Sequence, residues 1–345
     1  MHSFMEVLPE WLEKPSSHWD IILCSIINIH RNIPGYVFPE KLSPSMREQV
    51  TSNLVNKINK DFELDLITMH KSELAAIEEE VLKERQLIGI SSENYSQVFI
   101  NESQSFSIVL LEDDHFHGRL IIPGMDKEIL SQESERITAI VDSKGFWIKD
   151  ANLGYLTSRL DNVGLGIKLQ IIVHLPGISL VKKINDFKQK WSNLKLRWGN
   201  LFNQGVVFGN IYKITFVQSL GISIEELLKN FCEFSEDLYN EERAARQIFL
   251  KEAEIQTENN VWRALGILEN SRLISFDEAT NLLSALRFGV SINLLENISI
   301  SQCNKALFAS FPGYVRRKHG PVARKEHEDY HRSNELRAIL GKHIK

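Results

Sequence analysis

The chain has 345 residues, with 40 basic and 45 acidic side chains and a formal net charge of −5. That balance excludes a nucleic-acid binder working through bulk positive charge, and an apolar content of 43% excludes disorder as the main state. Cys24, Cys232 and Cys303 lie far apart without a CxxC pair, which argues against a disulfide framework or a cysteine zinc site and fits a reducing compartment.

Taken in chain order, the opening MHSFMEVLPEWLEK has early acids and no apolar h-region, so no secretory signal is expected, and a cytoplasmic setting is. No apolar run approaches a membrane span. Residues 1–85 read as helical. Met46, Val50, Leu54, Val55 and Ile58 recur at helical spacing behind Ser43-Pro44, and Ser72–Arg85 is a second helix with an acidic first turn. After Gly89 the pattern turns to strands: Tyr95–Asn101, Ser105–Leu111, His117–Ile122, Phe146–Lys149 and Lys168–Leu175. A helix is expected over Ser179–Leu194, and strands near Lys195–Trp198 and Asn210–Val217 bracket a loop over 200–209. Ile224–Lys251 is a long helix, and Val261–Glu269 and Ser275–Leu286 have clear apolar faces. Strands gathered together before long helices mean α+β with an antiparallel sheet, not alternating βαβ units. The expected domains are a small helical one over 1–85, an α+β domain with a sheet flanked by helices over 86–255, and a helical C-terminal one over 256–345.

Several segments carry candidate chemistry. Glu112-Asp113-Asp114-His115 follows an apolar strand, and three adjacent carboxylates repel unless a cation sits among them. The alternative is a solvated acidic turn. Gly164-x-Gly166 would let backbone amides approach a ligand, or is a plain turn. It is not GxGxxG, and no GxxxxGK[ST], HExxH or GxSxG motif occurs. His115 and His117 alternate on a strand and so face opposite ways. No metal site is expected, and His174 reads as a satisfied core histidine. The basic tail from Tyr314 onward suits phosphate groups or acidic partners, or is a solvated face.

These segments together resemble the ATP:guanido phosphotransferases, above all the bacterial protein arginine kinases. The matching stretches are IHRNIPGYVFPEKLS (29–43), SIVLLEDDHFHGRLI (107–121), GYLTSRLDNVGLGIKLQIIVHLPGI (154–178), GNIYKITFVQSLGISIEELLKNF (209–231) and VWRALGILENSRLISFDEATNLLSALRFGVSINLL (261–295). The resemblance implies transfer of the ATP γ-phosphoryl to arginine side chains of proteins, with Mg2+ bridging the phosphates. It also implies a protein partner with an exposed arginine, a homodimer and a small zinc-binding activator, with neither nucleic acid nor membrane involved.

By the same resemblance Asp113 stands for the catalytic glutamate, one methylene shorter, with Glu112 and Asp114 supporting it. Lys168, Arg119 and Arg197 would hold phosphates, with His117 and His115 beside them. Arg159, Asn162, Gly164 and Gly166 form the substrate loop, and Arg159 replaces a cysteine. The family's phosphate arginines fall on Ile26, Asn28, His117, Lys168, and Trp198 or Arg197; a nucleotide-touching histidine falls on Gln86. Arg31 is kept, in a structural role. The loop WGNLFNQG (198–205) lacks the family's acid. Three or four lost charge-assisted contacts would cost ~5–10 kcal/mol if nothing replaced them. Two readings therefore stay open: a divergent kinase, or a pseudokinase binding protein arginine, phosphoarginine or a partner. In the second, Arg316, Arg317, Arg332 and Arg337 are candidate holders of phosphoarginine.

Overall fold

The computed structural model describes residues 3–62, 65–90, 93–142, 146–201, 207–320 and 324–341. The strands are β1 (Ile22–Arg31), β2 (Leu66–His70), β3 (Gln97–Asn101), β4 (Phe106–Leu110), β5 (Phe116–Pro123), β6 (Lys149–Asp150), β7 (Gly154–Tyr155), β8 (Ile167–His174), β9 (Leu196–Asn200) and β10 (Ile211–Phe216). Eight of them form one antiparallel sheet in the order β2-β3-β4-β5-β1-β8-β10-β9, while β6 and β7 pair separately.

The helices are α1 (Pro44–Asp61), α2 (Ala76–Glu84), α3 (Lys127–Val141), α4 (Pro176–Leu180), α5 (Ile184–Lys190) and α6 (Ile224–Glu252), then α7 (Glu254–Asn270), α8 (Phe276–Ser291), α9 (Ile300–Ala309), α10 (Pro312–His319) and α11 (Lys325–Leu340). Short polar caps start several of them. Ser43, Asp126, Ser223, Ser275 and Ser299 each accept the backbone N–H three residues on, which satisfies a donor the helix cannot use itself.

The antiparallel sheet flanked by helices and the helical C-terminal part are as expected. The first 85 residues carry the two expected helices and also two strands. β1 lies at the centre of the sheet, so the sheet does not respect a boundary at residue 85. All ten residues of β1 are buried. A strand covered on both faces shows no alternation, and an unbroken apolar run cannot be told from a helix by period. Two further expectations change. The helix over Ser179–Leu194 is split at Val181–Lys183, where Lys182 takes φ 58°. Of the run Phe146–Lys149 only Lys149 is strand, because Trp147 turns into the core. Within the loop over 200–209, residues 202–206 lie outside the described residues, and with them half of the WGNLFNQG comparison.

One face of the sheet, with Ile27, Ile29, Leu169, Ile171 and Ile214, packs on Leu130 and Ile137 of α3 and Phe231, Phe234 and Leu238 of α6. The other face is split. Its apolar end, with Cys24, Ile26, Val109, Ile121 and Ile172, joins the core of the C-terminal helices through residues such as Leu265, Leu283 and Phe308. Its polar end is left open and forms the site.

Candidate active site

The polar end is built by strand periodicity. Asn28 of β1 lies opposite Arg119 of β5 on one side and Lys168 of β8 on the other. Directly paired residues share a face, so these three form one row. Gln170, Thr215 of β10 and Arg197 of β9 form the next. With His30, His117, Lys213 and the Glu112–Asp113 turn they line a cavity of about 310 Å³. Gln86, Trp198 and Gly199 also line it. Of the positions where the resemblance places phosphate or nucleotide contacts, Ile26 lies in the apolar core and His115 points away, while Asn28, Gln86, His117, Arg119, Lys168, Arg197 and Trp198 line this cavity.

The three carboxylates of the turn have different environments. Glu112 is buried against Arg119 Nη2 at 3.1 Å and against His117 Nδ1, and it accepts the Gly89 amide at 2.8 Å. Burial alone would raise its pKa; Arg119, His117 and that amide outweigh it and hold the carboxyl far below the usual range. Asp114 is fully buried and accepts Asn32 Nδ2 and the Ser158 amide, both at 2.7 Å. His30 Nδ1 is 3.2 Å from its other oxygen, out of hydrogen-bond alignment. Burial again opposes, yet these neighbours hold Asp114 at about 2. Asp113 differs from both. Its side chain is half exposed, its nearest ion-pair partner is Arg159 Nη1 at 3.7 Å, and burial together with the adjacent Glu112 raises its pKa. Of the three carboxylates it is the one that the fold leaves exposed.

Asp161, which sequence reasoning passed over, gathers the outer cations. Lys168 Nζ stands 3.0 Å from it, Arg197 Nη2 3.1 Å and Arg159 Nε 3.5 Å. Also missed were Lys213, Thr215, Gln170 and His30. A signal for Lys213 was present: a lone cation inside the apolar strand IYKITF, two residues from Thr215, marks a polar stripe on one face. The position-by-position comparison therefore undercounts the cations at this cavity. Arg119, Arg159, Lys168, Arg197 and Lys213 all line the cavity.

The other expected residues fall as follows. His117 faces the cavity, with Nε2 3.2 Å from Asn28 Oδ1. Burial, His30 and Arg119 depress its pKa, while Glu112 pulls the other way. His115 does not reach the cavity: its Nδ1 accepts the Ile33 amide at 3.0 Å and its Nε2 meets the Val37 carbonyl at 2.9 Å. Asn162 lines the cavity. Gly164 and Gly166 are bound into the backbone instead. Both have positive φ, and a Cβ on Gly164 would collide with the Ser219 carbonyl. Arg31 is structural, as expected, bonded to Asp142 and to the carbonyls of His30, Leu165 and Gly166. His174 is a satisfied core histidine, held by Ser284 Oγ at 2.8 Å and Arg287 Nη1 at 3.1 Å.

A second, larger cavity of about 870 Å³ adjoins the first. It is lined by Phe38, Lys41, Arg47, Lys71, Tyr95 and Ser158 among others, and it shares Glu112, Asp113 and Arg159 with the first. Among the described residues, no group of three or more His, Cys, Asp or Glu is placed to hold a metal ion, and no helix is long and apolar enough to cross a membrane.

Comparison with known proteins fits this geometry. The C-terminal catalytic domain of ATP:guanido phosphotransferases matches residues 45–245. The chain belongs to the ATP:guanido phosphotransferase family. Residues 254–344 match the protein-arginine kinase McsB C-terminal domain. Protein-arginine kinases of Bacillus cereus and Bacillus anthracis are 29% identical over 343 residues, covering 97% of this chain and 96% of theirs. The fold is shared with a lombricine kinase (TM-score 0.55, 18% identity, 68% of this chain and 71% of that one). It is shared too with the duplicated taurocyamine kinase of Schistosoma mansoni with bound transition-state analogue components (TM-score 0.57, 17% identity). That match covers 69% of this chain and 36% of the duplicated one.

Proposed function

We propose that this protein transfers the γ-phosphoryl group of ATP to arginine side chains of proteins. The observation that carries the reading is the pair of cavities meeting at Asp113: one lined by five cations, the other open beside it. A nucleotide in the first would present its γ-phosphoryl at the junction. An arginine entering through the second would bring its guanidinium to the same carboxylate. The relatives' name and the C-terminal domain support a protein as the acceptor.

The residues divide the work. Arg119, Lys168, Arg197 and Lys213 neutralise the phosphate chain, and preorganised charge of this kind supplies most of the catalysis in phosphoryl transfer. Among the described residues, the buried donor Arg119 Nη1 and both side-chain polar atoms of buried Asn162 lack a hydrogen-bond partner, which fits a polar ligand in the cavity. Magnesium, entering with the nucleotide, would supply further neutralisation of the phosphate charge. Asp113 holds the guanidinium in line and takes its proton as the N–P bond forms and the bond to the ADP oxygen breaks; burial and the adjacent Glu112 raise its pKa, which makes it a better proton acceptor than an ordinary aspartate. Glu112 fixes Arg119 and His117, and Asp114 fixes the turn through Asn32 and Ser158. A pseudokinase without a phosphate site finds no support in a cavity so rich in cations.

The same reading keeps a homodimer and a small zinc-binding activator as expected partners. It also divides the chain into a catalytic part, residues 86–255 with the strands before it, and a helical part, residues 256–345. The test is incubation with Mg·ATP and an arginine-rich protein, with a working relative as control. An acid-labile phosphoramidate on arginine, seen by 31P NMR and mass spectrometry, is expected. Its absence where the relative labels the same protein would overturn the reading.

A further inference from the structure

Among the described residues, Lys213 is the cation lining the first cavity that has no carboxylate within 4.0 Å. Arg119 is paired with Glu112, Arg159 with Asp113 and Asp161, and Lys168 and Arg197 with Asp161. Lys213 instead donates to the Gln86 side-chain oxygen at 2.8 Å, a neutral partner that orients the ammonium without neutralising it. Gln86 holds this position with φ 61°, just after α2, and non-glycine residues adopt that backbone region at a cost.

The surroundings leave room beside the ammonium and attract an anion to it. The residue opposite Lys213 on β9 is Gly199, which contributes no side chain, and both line the cavity. Lys213 is deeply enclosed, though solvent still reaches it through the cavity. Arg119 stands near enough to repel it, and Arg119 Nη1 is itself a buried donor without an acceptor. Two cations close enough to repel, with Arg119 Nη1 still lacking an acceptor among the described residues, cost free energy that an anion bound by both would recover.

We infer that Lys213 is the inner phosphate anchor of this protein: it binds the phosphate chain of the nucleotide together with Arg119, in place of arginines that the chain lacks. The inference rests on the function proposed above. It assigns a phosphate-binding role to a side chain of β10 that the motif comparison did not touch. Burial and Arg119 push the Lys213 ammonium down to about 8, so the free anchor loses its charge just above neutrality.

The test is calorimetric titration of the full chain with Mg·ADP and Mg·ATP, for wild type, Lys213→Met and Lys213→Arg. A charge-assisted contact predicts a loss of affinity of about tenfold or more in K213M. Wild-type affinity should weaken as pH rises above 8, and K213R should abolish that bend because arginine stays charged. Equal affinity of K213M and wild type, with no bend near pH 8, would overturn the inference and leave the kinase reading standing. Failure of the wild type to bind either nucleotide at millimolar concentration would sink both. If K213M does not fold, the pH dependence of the wild type against K213R decides alone.

Discussion

The molecule has two regions rich in basic side chains, and they use them in opposite ways. In the C-terminal helices the cations are spent on the fold. Arg332 is 1% exposed and is held by the carbonyls of Ser310 and Ile274, by Asp329 and by Glu328. Arg317 pairs with Glu6 and Glu78, Arg316 with Glu80 and Glu328, and Lys318 with Glu335. Arg337 is bonded to the Ser271 carbonyl and Asn334. These contacts staple the tail to α2 and to the rest of the C-terminal part. In the cavity, by contrast, five cations share a few carboxylates, and among the described residues one has none within 4.0 Å and the buried donor Arg119 Nη1 lacks an acceptor. A count of basic residues would rank the tail with the cavity; their pairing separates them, since an ion with its partners already in place has little to offer a ligand.

The largest effect expected from this contrast is on stability. Arg332→Met would leave Glu328, Asp329 and two carbonyls without their donor. Removing one partner of a buried ionic cluster costs about 3–5 kcal/mol. Denaturant unfolding should show that loss, while the folded fraction keeps its nucleotide affinity. A fall in affinity without a fall in stability would mean the tail is a binding site after all.

Next come two opposite pH dependences. Glu84 on α2 is buried and accepts the amides of Gly313 and Tyr314, so it ties α10 to the catalytic part. Burial raises its pKa to about 8. The folded chain then holds that proton more tightly than the unfolded one, so the stabilising contribution is full below the ordinary carboxylate range and declines as pH climbs through about 8. Glu84→Gln should flatten that slope. Lys213 works the other way. Its folded pKa lies below the unfolded one, so it destabilises at neutral pH, and the penalty is relieved between about 8 and the ordinary lysine value. K213M should therefore gain ~1–2 kcal/mol at pH 7 even as it loses nucleotide. A cation whose removal stabilises the fold and weakens binding is there for the ligand, and that pairing of signs is the sharpest contrast with Arg332.

How much of this was legible beforehand depended on period and on pairing. Amphipathic helices such as α1 and α8 showed in their apolar spacing, and strands such as β3, β4 and β10 in their alternating or apolar runs, but the edge strand β2 was read as part of a helical stretch. β1 did not, because burial on both faces erased the alternation that marks a strand. At the site, the Glu112–Asp114 turn stood out as adjacent charges after an apolar strand, and the resemblance placed Lys168, His117 and Gln86 on one cavity wall. Position matching could say which arginines are gone. It could not say that Lys213 reaches the same space from β10 or that Asp161 draws Lys168, Arg197 and Arg159 together, because those are properties of the sheet's register. The tail's basic run suggested a binding face for the same reason: its acidic partners Glu6, Glu78 and Glu80 lie more than two hundred residues earlier in the chain.

The smallest effects concern the outer layer of the cavity, and they test the contrast from the other side. Asp161 pairs with three cations at 3.0–3.5 Å, so it stands where an incoming phosphate would have to compete. The arrangement is partly exposed, and its energy is correspondingly modest. Asp161→Asn keeps the shape and removes the competing charge. Nucleotide affinity should rise several-fold, equivalent to about 1 kcal/mol, and binding should weaken more steeply with added salt because more unpaired cations then face the phosphates. Should D161N weaken nucleotide binding instead, Asp161 would be holding Lys168 and Arg197 in place for the ligand rather than occupying them, and the outer layer would belong, like the tail, to the cations already fixed by the fold.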